Sequence, residues 1–512
     1  MYPGVHAHID PDKPAAIIVD DGQRLTYRQL EERSTRLADA LRTAGLGRGD
    51  VVALLSSNDV EMFVVYWACL RSGLYLTPVN THLTAAEAGY IVDDCGATVL
   101  IASADLADLA AGAVAHAPAL RLLLAYGGRV SGFDSYEAFT AAGSPIPPAD
   151  QARGADMIYS SGTTGRPKGI KPPLPNRQVG DPGDPYVATF GGAYAMSPDT
   201  VYFSPAPLYH AAPLRFGMIV QSLGGTVLAA RRFDPEMALR TVDEYRVTHS
   251  QWVPTHFVRM LRLPEDVRAR YDVRSQTRVI HAAAPCPIEV KEKMLSWFGP
   301  VLHEYYSSTE ANGITMIGPD EWRNKPGSVG RAKLGTIHIC DDAGNELPCG
   351  ETGLVYFERE TMPFAYHRDP GKTAAASLAD HPTWSTCGDI GYLDADGYLF
   401  LRDRQAFTII SGGVNIYPQE IEDALTLHPD VHDVAVLGVP DDEYGELVTA
   451  VLALRAGLVP SQALVDRLTT DLRDRIAGYK VPRRFEFVDE LPRTPTGKLV
   501  KGNLRRLLAE SG

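Results

Sequence analysis

The chain has 512 residues, 45% of them hydrophobic, with 49 Lys plus Arg against 63 Asp plus Glu and a formal net charge of −14. That length suits roughly three folding units and a large core that needs no disulfide or metal to hold it. The acidic balance argues against a nucleic-acid-binding surface, no run of about 18 apolar residues is present to span a membrane, and the N-terminus lacks the basic and apolar regions of a signal peptide. The six cysteines are scattered with no Cys-x-x-Cys pair and read as reduced thiols, so a cytoplasmic enzyme is expected.

The first ~150 residues alternate helix and strand signals. An amphipathic helix follows Leu25-Thr26-Tyr27 and runs to about Leu46. Val51–Leu55 reads as a strand, followed by a helix-capping cluster at Ser56-Ser57-Asn58-Asp59. Gly73–Val79 and Thr98–Ala102 repeat the pattern, which implies parallel βαβ units. Pro172–Pro185 is dense in Pro, Gly, Asn and Asp and is expected to be an irregular surface loop. Alternation of helix and strand resumes near Thr200 and lasts to about Gly318. From Gly327 short alternating runs separated by Asp-Ala-Gly-Asn and Asp-Ala-Asp-Gly turns predict a small antiparallel barrel. Beyond Asp403 the pattern is helix (about Pro418–Leu427), strand (Val431–Gly438), strand (Val448–Leu454) and helix (about Ser461–Ile476). The expected fold is therefore α/β and multidomain. A large N-terminal domain of βαβ subdomains with a barrel-like subdomain covers residues 1–403, and a small α+β domain covers 404–512.

The densest chemistry lies in Tyr159-Ser160-Ser161-Gly162-Thr163-Thr164-Gly165-Arg166-Pro167-Lys168-Gly169. Glycines let backbone N–H groups turn toward an anion, and hydroxyls and Lys168 add donors, so a polyphosphate is the expected ligand. The order is not that of a P-loop opening a helix: Pro167 interrupts it, Lys168 is followed by glycine, and Lys171-Pro172-Pro173 disfavours a helix beyond. A lid that folds over phosphates fits better.

This loop resembles the phosphate-binding signature of the ANL adenylate-forming superfamily, which includes acyl-CoA synthetases, adenylation domains and luciferases. Further resemblances follow in order: Pro207-Leu208-Tyr209-His210, Ala282-Ala283-Ala284-Pro285, Tyr306-Ser307-Ser308-Thr309-Glu310, Thr386-Cys387-Gly388-Asp389, Asp403-Arg404 with Ile410–Pro418, and Pro492–Lys498. The resemblance covers nearly the whole chain and implies a mobile C-terminal domain. It also implies activation of a carboxylate by ATP, release of pyrophosphate, and transfer of the acyl group to coenzyme A.

Site roles follow from the resemblance, position by position. Lys498 is expected to bridge the substrate carboxylate and the α-phosphate. Ser161, Thr163, Thr164 and Lys168 are expected on the β- and γ-phosphates. Thr309 is expected to donate to the α-phosphate and Glu310 to hold Mg²⁺. Ala283 and Ala284 would lie on adenine with Tyr306 stacked on it, Asp389 would accept from the ribose hydroxyls, and Arg404 would sit by ribose or phosphates. His210 would gate the acyl pocket, and Gly412 and Gly413 would contact pantetheine after the small domain swings. Three positions depart from the commoner pattern: Ala406 at the usually charged hinge, Ser307 where glycine is common, and the long proline-rich stretch after Lys171.

Expected pocket residues are Tyr209, His210, Phe216, Gln251, Trp252, Thr255, His256, His281 and Tyr305, a mostly apolar set suited to a fatty, aryl or steroid-like acid. The expected partners are that acid, ATP and coenzyme A. No nucleic acid or integral membrane contact is expected, and the chain is expected as monomer or homodimer. Two other readings stay open: an amide synthetase in which an amine attacks the same adenylate, and a binding protein that has kept the fold without catalysis.

Overall fold

The computed structural model describes residues 2–160, 167–441, 443–493, 499, 501, 504 and 508. The expected calls on Ser161, Thr163, Thr164 and Lys498 therefore lie outside the described residues.

Val51–Leu55 is buried at every position, as befits a strand covered on both faces. It pairs in parallel with Tyr75–Pro78 and Val99–Ser103, at the centre of a six-stranded parallel sheet among the described residues. A nine-stranded sheet forms from Val201–Ser204, Thr226–Ala229, His249–Trp252, Arg278–His281 and Leu302–Ser307 with flanking strands. Its central pairings are parallel, and it turns antiparallel from Leu302–Ser307 outward.

Two helices fill the space between these sheets. Every residue of Glu61–Leu70 is buried, and so is Pro213–Ser222 of helix Ala211–Ser222. They lock together where Trp67 Nε1 donates to Gln221 Oε1 at 2.7 Å and where Gly217 leaves room for Phe63; a Cβ on Gly217 would stand 2.8 Å from that ring. The side chain of Asn58 ties the two sheets at their carboxyl ends. Its Nδ2 donates to the carbonyls of Ala206 (3.1 Å) and Ala230 (2.7 Å), and its Oδ1 accepts from Leu208 N–H at 2.7 Å.

Thr336–Cys340, Gly353–Glu358, Trp384–Leu393 and Leu399–Arg404 are antiparallel as expected, but among the described residues they form an open four-stranded sheet whose two outer strands do not pair into a barrel. The C-terminal part is a separate sheet built around the long pair Val431–Asp441 and Gly445–Leu454, covered by helices Pro418–Thr426 and Gln462–Arg473 around their own core. No helix among the described residues is long and apolar enough to cross a membrane.

Candidate active site

The described residues on either side of the motif's centre pair with each other. Ile158–Ser160 pairs antiparallel with Lys168–Lys171, so Ser160 and Lys168 stand opposite each other. A strand, not a helix, follows the motif, as the Pro167 and Pro172 signals require. Ala365–Tyr366 adds a third strand. This placement makes Tyr366 a central residue that the sequence did not point to. Its hydroxyl donates to Glu310 Oε1 at 2.8 Å, and the Lys168 ammonium lies 5.1 Å from its ring centroid. Burial and the nearby Glu310 carboxylate push the Tyr366 phenol well above its ordinary pKa, which keeps it a hydrogen-bond donor.

Beside Glu310 runs the wall Ser307–Ala311. Thr309 lines the cavity there. Ser307 donates to the Gly313 carbonyl at 2.8 Å, so its extra hydroxyl is spent on its own loop. Ala282 and Ala283 also line the cavity, and Ala283 has φ of 75°, a left-handed conformation that a non-glycine residue seldom adopts. Ala284 is exposed and does not reach the wall. Just beyond, Tyr306 donates to Asp389 Oδ2 at 2.6 Å, and Arg404 Nε donates to Asp389 Oδ1 at 3.1 Å. Each carboxylate oxygen keeps a second lone pair for a further donor. Arg404 and Cys387 line the cavity, whereas Tyr306 and Asp389 stand behind it. Burial and nearby Glu310 raise the Cys387 thiol well above its usual range, so it is an unreactive wall residue.

The acyl side is aromatic. Phe190, Phe216 and Tyr305 pack with ring centroids 5.0 to 5.8 Å apart, and Gln251 donates to the Tyr305 hydroxyl at 3.1 Å. His210 begins helix Ala211–Ser222, with its ring 4.5 Å from that of Tyr209, and both line the cavity with Phe216, Gln251, Trp252 and Tyr305. Three expected pocket residues are not there. His281 follows Ile280 on a strand, and successive side chains point to opposite faces. Ile280 belongs to the core cluster that includes Phe190, Phe216 and Tyr305, while His281 meets Phe257 and stands 3.6 Å from Glu304 on the other face. His256 stacks on Phe233 at 4.0 Å, and burial drives its pKa down to about 3, so it is a neutral core group. Thr255, beside it in helix Pro254–Leu261, is also off the wall.

The sequence also missed charge. Arg153, Asp156, Arg177, Asp184 and Arg215 line the same cavity. Arg215 Nε donates to Asp156 Oδ2 at 2.9 Å, and Asp184 Oδ2 accepts from Arg153 (2.9 Å) and Arg177 (2.6 Å). Asp184 Oδ1 accepts from Tyr186 N–H at 3.0 Å, so this one carboxylate anchors the proline-rich stretch, which forms part of the cavity wall in addition to its exposed stretches. Arg215 lies four residues beyond Ala211, the spacing that puts both on one helix face, but only the tertiary placement of the helix shows which face meets the cavity.

The C-terminal part closes the cavity. Leu499, Lys501 and Phe407 line it, Lys501 pairs with Glu422 at 2.8 Å, and Arg493 holds Asp433 through two bonds of 2.6 Å. Arg493 and Leu499 form a backbone bridge that brackets residues 494–498, so the chain neighbour of Lys498 faces the site. Gly412 and Gly413, with φ of 58° and 78°, make the tight turn between Ile409–Ser411 and Val414–Ile416, away from the cavity. Across the junction Arg262 donates to the carbonyls of His432 (2.6 Å), Thr426 (3.1 Å) and Val431 (3.3 Å). Ala406 sits in the short turn Gln405–Phe407, where its neighbour Phe407 takes a cation contact from Lys501 at 5.3 Å.

The lid stem, the Ser307–Ala311 wall, Arg404, the aromatic acyl side, the charged wall and the Phe407, Leu499 and Lys501 contacts all open on one cavity of about 1610 Å³. The chain matches the AMP-binding enzyme model over residues 5–366 and the AMP-binding enzyme C-terminal domain model over residues 420–498. It is 33% identical over 511 residues to a feruloyl-CoA synthase of Amycolatopsis sp., covering 99% of this chain and 98% of that one. It is 30% identical to a long-chain-fatty-acid–CoA ligase of Mycobacterium tuberculosis, covering 99% of this chain and 96% of that one. The solved structure of the amide bond synthetase McbA from Marinactinospora thermotolerans superposes with a TM-score of 0.82 at 26% identity, over 99% of each chain. Motifs, fold and cavity agree with these matches, and the chain belongs to the AMP-binding enzyme family of the adenylate-forming superfamily.

Proposed function

We propose that this protein is an AMP-forming carboxylic acid–CoA ligase: with ATP and Mg²⁺ it converts an acid with an apolar, aryl or alkyl body into an acyl-adenylate and pyrophosphate, then passes the acyl group to coenzyme A. The observation that carries this reading is the single cavity joining the aromatic acyl wall to the lid stem, Thr309 and Glu310.

Both half-reactions build negative charge on oxygen, so positioned donors and cations do most of the work. Lys168 at the foot of the lid faces the triphosphate, and Thr309 donates beside it. Glu310 is a hard oxygen donor suited to Mg²⁺; among the described residues no group of three or more His, Cys, Asp or Glu surrounds it, which fits a cation that keeps waters and takes phosphate oxygens. The bound cation would draw charge from the phosphate oxygens. Tyr366 fixes the Glu310 carboxylate by its hydrogen bond. Asp389, held behind the wall by Tyr306, fixes Arg404, which lines the cavity on the ribose side. Lys498, next to Leu499, supplies the cation for adenylation, and Gly412-Gly413 replaces it when the small domain turns for thioester formation.

We divide the chain at Asp403/Arg404 into a domain of residues 1–403 and a mobile domain of 404–512. We place the enzyme in the cytoplasm, a reading supported by six unbonded cysteines, and take it as monomer or homodimer. The likeness to the amide bond synthetase supports a second reading, in which an amine takes the place of the thiol. Acid-dependent pyrophosphate release followed by product mass spectrometry separates the two. A thioester on adding coenzyme A supports the ligase. An amide on adding amine, with no thioester, rejects it.

A further inference from the structure

The charged wall of the acyl cavity is more than a fold device. Arg215 is nine-tenths buried, lines the cavity and stacks on Tyr186, with the guanidinium carbon 5.0 Å from the ring centroid. Its Nε and Nη2 are both committed to one oxygen of Asp156, at 2.9 and 2.7 Å, and the other oxygen takes the Tyr66 hydroxyl at 3.2 Å. Nη1 of Arg215 has no hydrogen-bond partner among the described residues. Arg153, equally buried, gives Nη2 to Asp184 and lies over Trp67. Arg177 shares the same Asp184 oxygen. Three guanidiniums thus meet two carboxylates on one wall, and Tyr66 feels both Arg153 and Arg215.

Arg215 and Arg153 each have a carboxylate of their own, so the surplus cation is the partly exposed Arg177, and the wall as a whole carries one net positive charge that an anion in the cavity would balance. A fatty acyl tail supplies no such group, and the aromatic rings of Phe190, Phe216 and Tyr305 account for an apolar body without needing the arginines. A guanidinium that keeps Nη1 unpaired on a cavity wall can donate to a carboxylate there.

Resting on the ligase reading above, we infer that the acid is bifunctional: an apolar body carries the carboxylate to be activated at one end and a second anionic group at the other, and Arg215, backed by Arg153, reads that second group. Arg215 is then the specificity-determining residue of the acyl pocket. Asp156 is a positioning residue that holds the guanidinium edge toward the cavity.

The test uses the full-length enzyme with matched acid pairs of several lengths, aryl and alkyl, in which a distal carboxylate is replaced by methyl. The readout is acid-dependent pyrophosphate release, which needs no coenzyme A and so stays separate from the identity of the acceptor. In the parent enzyme at least one diacid is expected to exceed its methyl partner tenfold or more in kcat/KM. Arg215→Met should bring that ratio to twofold or less, and Arg215→Lys should keep part of it. A ratio of two substrates on one preparation does not depend on the folded fraction. If Arg215→Met does not fold because Asp156 is stranded, the paired variant Arg215→Met with Asp156→Asn removes both charges and takes the same measurement. No diacid preferred over its methyl partner in the parent, or a preference untouched by loss of Arg215, overturns the inference. Failure to form a thioester from the adenylate would reject the ligase reading and leave this one standing.

Discussion

The Tyr366 hydroxyl donates to Glu310 at 2.8 Å, and through that bond a strand packed on the lid stem positions the carboxylate of the Thr309-Glu310 pair. A hydrogen bond to a charged group contributes about 1.5–3 kcal/mol. Tyr366→Phe is expected to lower kcat/KM for ATP by roughly ten- to a hundredfold, with the loss partly recovered at high Mg²⁺. Pyrophosphate release across a Mg²⁺ titration checks this; an unchanged Mg²⁺ dependence would mean that the bond does not position the metal ligand.

Asn58 serves the site from a distance by holding the loop that carries Tyr209 and His210. Its replacement by Leu strands the Ala206 and Ala230 carbonyls and the Leu208 N–H. At about 1–3 kcal/mol per orphaned group, a stability loss of roughly 3 kcal/mol or more is expected. Denaturant unfolding measures it, and KM for the acid should rise more than KM for ATP.

Arg262 fastens the two parts of the chain in the orientation in which Leu499 meets the cavity. Arg262→Ala should slow adenylation several-fold while leaving thioester formation from preformed adenylate unchanged or faster. Single-turnover measurements of each half-reaction decide the matter, and equal slowing of both would count against a role in this orientation alone.

Burial pushes Asp423 up to about 7, against a lowering hydrogen bond from Gln419. Unfolding therefore releases a proton between pH of about 4 and 7, and stability falls as pH rises through that window. Asp423→Asn stays neutral and should gain stability over the parent as pH rises from 4.5 to 8, by at most about 4 kcal/mol. Thermal unfolding of both proteins at the two pH values reads the difference. A constant offset would show that Asp423 is ionised throughout.

Strands such as Val51–Leu55 were legible because a fully buried parallel strand needs an unbroken apolar run. The lid was legible as non-helical because Pro167 and Pro172 forbid the alternative. Asn58 was not: it reads as a helix cap, yet Asp59 caps Glu61 N–H at 2.9 Å and Asn58 bridges two sheets whose meeting no local pattern encodes. His281 and His256 failed for a related reason. Side-chain alternation is plain in the sequence, but which face of a covered strand meets a cavity depends on elements over 100 residues away. Tyr366 and Arg215 were invisible on the same ground, each made functional by a partner distant in the chain, Glu310 and Asp156 respectively.

Helix Glu61–Leu70 has no solvent face: one sheet's loops deliver it, and the other sheet's helix, through Gln221 and Gly217, receives it. The first 156 residues and the following 200 are accordingly not detachable modules. A fragment ending near Asp156 would expose an apolar helix with no partner, and the complementary fragment would carry an open slot of the same shape. Grafting the acyl-binding half of one relative onto the nucleotide-binding half of another must therefore carry Phe63, Trp67, Gly217 and Gln221 across as a set.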